Sequence, residues 1–184
     1  HFLEICETVG LAKVLGEVML SQVARQAAIW NSARATPLKV SVNVAPSQLD
    51  EDLVGTLRTI LDSTGASADS LCIEVIENAF NDAGQAQRVL SDIQQLGSLS
   101  VHIDDFGPGH SSLSRLTSLP IDGVKIDRSF VTHLVHNSSD RAIAAAIIGL
   151  AHAIGLEVIA EGVETKAQFD ILRDMNCDLA QGWL

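Results

Sequence analysis

The segment Lys39-Val40-Ser41-Val42-Asn43-Val44 alternates apolar and polar side chains along a β-branched run. A period of two places the valines on one face of a β-strand and the serine and asparagine on the other. The alternation returns at residues 71–76 and 100–104, where Glu74 and Asp104 stand opposite an apolar set. An open sheet covered by helices needs apolar side chains on both faces, whereas a barrel tolerates polar groups inside near its mouth. The pattern therefore favours a β/α barrel over an open, doubly wound sheet.

Strand-like runs and segments with helical periodicity alternate along the whole chain, which is the pattern of an α/β protein with a parallel sheet. Gly65, Gly97 and Gly155 stand where helices are expected to end. The predicted strands cover residues 39–44, 71–76, 100–103, 123–126, 157–160 and 178–181. The predicted helices cover residues 15–33, 51–64, 81–96, 111–116, 140–154 and 166–175.

The balance of charge narrows the range of partners. With 12 Lys+Arg against 23 Asp+Glu, the 184-residue chain has a formal net charge of −11. This excess argues against the basic face that a nucleic-acid polymer requires, so a phosphate ligand would be met through metal ions. No linker or repeat divides the sequence, and we predict one domain over residues 1–184.

The sequence offers no signal for a membrane or for disulfide bonds. Its longest uncharged apolar run, residues 142–154, is shorter than the roughly 20 residues that cross a bilayer. Cys6, Cys72 and Cys177 are odd in number and lack metal-ligand spacing. A reducing compartment suits such a chain, so we predict a cytoplasmic location without membrane contact.

Each predicted strand carries a polar residue near its carboxyl end. In a β/α barrel these ends open onto one face, so residues that are distant in sequence converge on a single site. One such residue is equally explained as an ordinary polar strand end, but six strands with the same feature favour a site. The set comprises Asn43, Glu74, Asp104, Asp105, Lys125, Glu161 and Gln181.

The chemistry of this set favours divalent metal ions. Carboxylates and an amide oxygen are hard ligands suited to Mg²⁺ or Mn²⁺, and adjacent Asp104 and Asp105 are able to serve two ions roughly 3.5–4 Å apart. Two such ions support phosphodiester hydrolysis, because one activates a water molecule and the other neutralises charge on the phosphate. Lys125 would hold the water or the phosphate, or would form a plain structural ion pair with the carboxylates.

Six short motifs stand at the ends of the predicted strands. They are Ser41-Val42-Asn43-Val44, Glu74-Val75-Ile76-Glu77, Asp104-Asp105-Phe106-Gly107-Pro108-Gly109, Val124-Lys125-Ile126-Asp127-Arg128, Ala160-Glu161-Gly162-Val163-Glu164-Thr165 and Gln181-Gly182. Taken together, these motifs resemble the EAL-domain phosphodiesterases of cyclic di-GMP. The resemblance runs nearly end to end, and the motifs stand in the family's order and spacing.

The resemblance implies a TIM-like (β/α)8 barrel of the EAL type that hydrolyses cyclic di-GMP to linear pGpG in bacterial signalling. Its implied metal ligands are Asn43, Glu74 and Asp104 for one ion, with Asp104 bridging to a second ion held with Asp105. Lys125 and Glu161 would order or deprotonate water, and Gln181 would contact substrate across the pocket. Glu77 would tie the glycine-rich loop, Glu164 would support the site, and the same loop implies a homodimer. Ca²⁺ is expected to bind but to inhibit, because it is larger and geometrically looser than Mg²⁺ or Mn²⁺.

The chain also departs from the family pattern. Ile76 replaces the usual threonine, Pro108 replaces a small or hydroxylated residue, and His110 replaces a frequent aromatic residue. The signature Glu-Ala-Leu, whose glutamate completes the first metal site, is expected upstream of His1. Six predicted strands against the usual eight indicate a partial EAL domain of about six βα units, truncated at both ends, and residues 1–184 alone are expected to be weak or inactive as an enzyme.

Two other functions are compatible with these residues. A catalytically impaired EAL-like module would act as a cyclic di-GMP receptor or as a regulator that binds a protein. Another phosphate-binding barrel is disfavoured, because the glycine-rich run follows paired aspartates and does not open a phosphate-cradling helix. Asp127 and Arg128 are predicted to form a structural ion pair with no part in catalysis.

Overall fold

The computed structural model of the chain describes residues 6, 10–80, 83–107 and 116–184. The chain forms two compact units, residues 1–101 and residues 102–184. Among the described residues, no helix combines the length and the apolar character that crossing a membrane requires.

The first unit alternates helices with two parallel strands. Its helices are α1 (Ala12–Asn31), α2 (Glu51–Thr64) and α3 (Ala83–Gln94). Its strands are β1 (Val40–Val44) and β2 (Leu71–Ile76), which pair in parallel with Asn43 opposite Glu74. Short 3-10 helices cover Pro46–Gln48, Ala68–Ser70 and Glu77–Phe80.

Helix α2 shows how the sequence sets the boundaries of these elements. The side chain of Asp50 accepts hydrogen bonds from the backbone N–H groups of Asp52 and Leu53, which caps the amino terminus. Gly65 ends the helix in the left-handed conformation at φ 69°, which glycine adopts without steric cost. Leu53, Leu57 and Ile60 recur at helical spacing and are buried.

The second unit is a parallel β/α array. Strand β3 (Ser100–Phe106) begins at the end of the first unit and continues into the second. It is followed by β4 (Gly123–Ile126), α4 (Arg128–Thr132), α5 (Ser138–Ala153), β5 (Glu157–Val163), α6 (Lys166–Asp174) and β6 (Leu179–Gly182). The strands stand side by side in the order β3, β4, β5, β6, and every neighbouring pair is parallel.

The core of the second unit lies between the sheet and α5. All four residues of β4 are buried, and α5 packs against β4 and β5 through Ala144, Ile147, Ile148 and Ala151. Val124 and Ile126 are fully buried on one face of β4, while Gly123 and Lys125 belong to the opposite face. Lys125 is therefore a buried charged residue on a strand that is otherwise apolar apart from Gly123.

Most of the predicted elements are confirmed, and the differences have physical reasons. The strands over 71–76 and 123–126 agree with the prediction at both ends, whereas β3 and β5 continue to Phe106 and Val163. The prediction stopped short in β3 and β5 because the ladder of each shifts register near its end, where side chains no longer alternate regularly. Helix α4 was not predicted, since five residues are too few for a helical period to be recognised. The predicted helix over 111–116 lies outside the described residues except for Leu116.

Gly16 in the middle of α1 is required by a close contact with Gln48. Gln48 is 7% exposed, and its side-chain Oε1 accepts the backbone N–H of Ala45 at 3.0 Å. A Cβ at position 16 would stand 1.6 Å from Gln48 Nε2. The glycine therefore makes room for a buried amide that fixes the chain after β1.

We predict that Gly16→Ala destabilises the protein although alanine favours helices. Displacing a buried, hydrogen-bonded amide from a packed position should cost about 1–3 kcal/mol. Gly55→Ala is the matched control, because Gly55 also lies inside a helix and a Cβ there meets no atom within 4 Å. That control should stabilise the protein by about 0.5–1 kcal/mol. Urea unfolding measures both, and equal gains in the two variants would contradict the role given to Gln48.

Candidate metal centre

Three carboxylates come together at the carboxyl ends of β3 and β5. One side-chain oxygen from each of Asp104, Asp105 and Glu161 lies within 4.8 Å of the others. Asp104 and Glu161 are largely buried, with 13% and 19% of their side chains exposed. Such a group of hard oxygen donors suits a divalent cation.

The two aspartates share one side of β3 because the strand is irregular there. Successive side chains in a regular strand point to opposite faces. Here the register with β4 shifts between Ile103 and Phe106, and Asp105 takes a left-handed φ of 53°. The backbone N–H of Asp105 donates to Asp104 Oδ1 at 3.1 Å. This local turn brings both carboxylates to one site, as β-bulges near active sites often do.

Lys125 joins this cluster from β4, between the two acidic strands. Its Nζ lies 3.0 Å from Asp104 Oδ1 and 2.5 Å from Glu161 Oε1, and the side chain is 4% exposed. The sequence left two roles open for Lys125, a structural ion pair or a contact to the water or the phosphate. The observed geometry is compatible with both roles, because the ion pairs lie inside the candidate site. One ammonium among three carboxylates leaves an excess of negative charge, which a divalent cation would neutralise.

The environment makes two of these carboxyl groups weaker acids than usual. Burial raises the pKa of Glu161, the hydrogen bond from Lys125 opposes this, and the charge of Asp104 adds to the rise. Burial also raises the pKa of Asp105, together with the charges of Asp104 and Asp127 and a hydrogen bond with Asp127. Both carboxyl groups therefore hold a proton more readily than free ones, and a bound cation would compete with that proton.

The remaining predicted strand-end residues lie in both units. Gln181 on β6 stands opposite Glu161 in the register of the sheet and is exposed. In the first unit, Asn43 and Glu74 are register partners on neighbouring strands; Asn43 is exposed and Glu74 is buried. The second unit thus brings four predicted site residues together, and the first unit pairs two more.

The predicted supporting glutamates have different surroundings. Glu77 begins the 3-10 helix Glu77–Phe80, and the loop that it was predicted to tie, with Pro108 and His110, lies outside the described residues. Glu164 accepts a hydrogen bond at 2.7 Å from Arg128 Nη2.

The prediction of an ion pair between Asp127 and Arg128 is wrong. Asp127 caps α4 by accepting the backbone N–H of Ser129 at 2.8 Å, while Arg128 pairs with Glu164. The two side chains part because the chain turns from β4 into α4 at Asp127. An aspartate directly before a short helix is an N-cap signal that was available in the sequence.

Comparison with known proteins gives the family. The family model described as EAL domain matches residues 1–184. Two proteins of Pseudomonas aeruginosa align with all of this chain: the bifunctional diguanylate cyclase/cyclic di-GMP phosphodiesterase MucR at 36% identity, and the cyclic di-GMP phosphodiesterase NbdA at 38%. The chain spans 27% of MucR and 24% of NbdA.

Solved structures agree with the sequence relatives. The structure of the MucR phosphodiesterase in complex with c-di-GMP superposes on the whole chain with a TM-score of 0.94, at 36% identity and over 74% of that structure's chain. BlrP1 of Klebsiella pneumoniae, solved with manganese and cyclic di-GMP, superposes on 94% of the chain with a TM-score of 0.83, at 27% identity and over 44% of its own chain. A second BlrP1 structure contains calcium and the same nucleotide.

These matches confirm the predicted fold class, an EAL-type α/β barrel fold, of which the described residues form six strands and their helices. The family model covers the chain from its first residue to its last, and both P. aeruginosa relatives exceed 30% identity over it. The chain belongs to the EAL domain family.

Proposed function

We propose that this chain is the catalytic domain of a metal-dependent phosphodiesterase that hydrolyses cyclic di-GMP to linear pGpG in bacterial signalling. The observation that carries the proposal is the cluster of Asp104, Asp105 and Glu161 around the buried Lys125 ammonium. The relatives support it, because two of them are named cyclic di-GMP phosphodiesterases and the similar structures contain that nucleotide.

The donor atoms of the chain fit Mg²⁺ or Mn²⁺. As the resemblance implies, Asn43, Glu74 and Asp104 would hold one ion, and Asp104 and Asp105 would hold a second. All of these are oxygen donors, and the negative charge of the cluster favours a divalent cation. When bound, such ions supply charge neutralisation at the phosphate and a water molecule of lowered pKa.

The other residues of the site would then act on the water and the nucleotide. Glu161 accepts the proton of the attacking water, a role that suits a carboxyl group whose pKa burial has raised. Lys125 holds this carboxylate in place and offers its ammonium group to the phosphate. The water oxygen forms a bond to phosphorus, and the P–O bond to one ribose oxygen of the ring breaks. That ribose oxygen takes up the proton that Glu161 received, which regenerates the carboxylate and releases linear pGpG. Gln181, next to Glu161 across the β5–β6 ladder, contacts the substrate.

The assays compare two chains, residues 1–184 and a longer chain in which a segment containing Glu-Ala-Leu is joined before His1, here named the extended chain. This segment would add the glutamate that the resemblance assigns to the first metal site. Residues 1–184 alone serve as the comparison, and we expect them to be weak or inactive.

We predict that Asp104→Asn lowers Mn²⁺ affinity more than any other single change in the cluster. A shared carboxylate contacts both ions, so its neutralisation weakens both sites at once. Titration calorimetry with Mn²⁺ on the extended chain measures the effect. Asp174→Asn is the control, because Asp174 is an exposed carboxylate on α6 that pairs with Arg173. Equal affinity in the Asp104 variant and the wild type would remove the assignment of a shared ligand.

We predict that Glu161→Gln keeps Mn²⁺ affinity and lowers turnover by roughly 10²–10⁴-fold, the range expected when a general base is lost. Chromatography of the nucleotide products, with Mg²⁺, Mn²⁺ or Ca²⁺ in turn, measures the rates. Ca²⁺ should support little turnover, since it is larger and accepts looser geometry. Tight binding of cyclic di-GMP by the wild type without pGpG formation would instead favour the receptor function.

We also propose a cytoplasmic homodimer whose contact includes residues 105–112. Most homo-oligomers are symmetric pairs, and a twofold contact at this loop would adjoin the paired aspartates. Analytical ultracentrifugation should show a concentration-dependent dimer. An extended chain that is fully active and stays monomeric at high concentration would contradict the dimer.

A further inference from the structure

Strand β5 contains an irregular step directly after Glu161. The ladder between β5 and β6 shifts register between Glu161 and Val163, and Gly162 adopts a left-handed φ of 69°. A step of this kind re-aims the neighbouring side chain. The direction of the Glu161 carboxylate therefore depends on how firmly the backbone at Gly162 is held.

The side chain of Arg128 covers this step. A Cβ built on Gly162 would lie 2.4 Å from Arg128 Cγ and 2.9 Å from its Cδ, so the aliphatic part of the arginine lies directly against the glycine. Position 162 requires glycine for two reasons. Its φ is left-handed, and a side chain there would collide with Arg128. Arg128 is the first residue of α4 and follows Lys125 by three positions.

The far end of Arg128 is held on the same segment. Its Nη2 donates to Glu164 Oε1 at 2.7 Å. The segment is fixed on its other side by buried Gln168, whose Oε1 accepts the backbone N–H groups of Glu164 and Thr165, both at 2.9 Å. Gln168 Nε2 in turn donates to the backbone carbonyl of Val131 in α4 at 3.1 Å. Helix α4 thus holds the segment after Glu161 through two contacts, Arg128 with Glu164 and Val131 with Gln168.

The contacts of Arg128 affect the backbone conformation at Gly162 more than the stability of the fold. The side chains of Arg128 and Glu164 are 62% and 44% exposed, and ion pairs at such exposure contribute little to the free energy of unfolding. Their effect on direction is larger, because an uncovered glycine has the widest choice of backbone conformations.

We propose that Arg128 is a positioning residue for Glu161. Its aliphatic part covers the step at Gly162, its guanidinium group holds Glu164, and together they keep the Glu161 carboxylate aimed at Lys125 and Asp104. This inference rests on the proposed function, in which Glu161 accepts the proton of the attacking water. A loss of aim by about 1 Å at a reacting group is enough to cost roughly 10²-fold in rate.

The first test measures the backbone without metal or substrate. Backbone ¹⁵N relaxation should show lower order parameters at Glu161 and Gly162 in Arg128→Ala than in the wild type. The matched control is Arg173→Ala, which removes an arginine of similar exposure, 59%, from ion pairs with Asp170 and Asp174 on α6. Unchanged order parameters in Arg128→Ala, or an equal fall in the control, would overturn the proposal.

The second test measures kcat and KM on the extended chain. Arg128→Ala should lower kcat by roughly 10–10²-fold with KM, Mn²⁺ affinity and melting temperature unchanged. In the Glu161→Gln background the same substitution should cost nothing further, because Arg128 acts through Glu161. Arg128→Lys should recover most of the rate, since lysine keeps an aliphatic chain over Gly162 and a positive charge near Glu164.

The outcomes separate this inference from the proposed function. An undiminished effect of Arg128→Ala in the Glu161→Gln background would overturn the positioning role while leaving the phosphodiesterase in place. A wild-type extended chain without turnover would overturn the phosphodiesterase function, and the relaxation measurement would still decide whether Arg128 orders the Glu161 segment.

Discussion

The candidate site depends on one buried ammonium group. Lys125 lies on β4, between Asp104 on β3 and Glu161 on β5, and its side chain is 4% exposed. A charge at that depth is tolerated only with opposite charges at short range, because the cost of removing it from water otherwise exceeds the gain. The lysine therefore favours an arrangement in which the carboxyl ends of β3 and β5 lie on either side of it. Because Asp104 and Glu161 both contact Lys125, their carboxylates are also close enough to bind one cation.

Irregular strand ends are the second requirement. Regular strands would send Asp104 and Asp105 to opposite faces and would carry the segment after Glu161 straight on along the sheet. Instead β3 and β5 each contain a register shift at the acidic residue, and each has a positive φ, at Asp105 and at Gly162. The regular parts of the strands build the core, and the irregular ends build the site.

The sequence predicts the regular part well. Alternating β-branched runs locate the strands, and Gly65 and Gly155 mark helix ends, both with positive φ. Position at a strand end was enough to select Lys125 and Glu161, because parallel strands present their carboxyl ends together. The placement of the Asp104 and Asp105 carboxylates on the same side of β3 was not predictable from periodicity, because it depends on the register shift and the positive φ at Asp105. The pairing of Arg128 with Glu164 was missed because it joins residues 36 positions apart in the sequence. The N-cap role of Asp127 was readable from its place directly before α4.

The left-handed backbone at Asp105 also limits how this site is able to change during evolution. Most residues would add backbone strain at that φ in addition to removing a carboxylate, but asparagine adopts this conformation readily. Asparagine is also one nucleotide substitution away from aspartate in the genetic code. Exchanging one oxygen for a nitrogen at this position would remove a metal-binding charge and leave the fold of the strand end intact. Under the proposed function, the simplest mutational path away from catalysis would therefore leave the strand end folded, and a receptor would arise from an enzyme without an unstable intermediate.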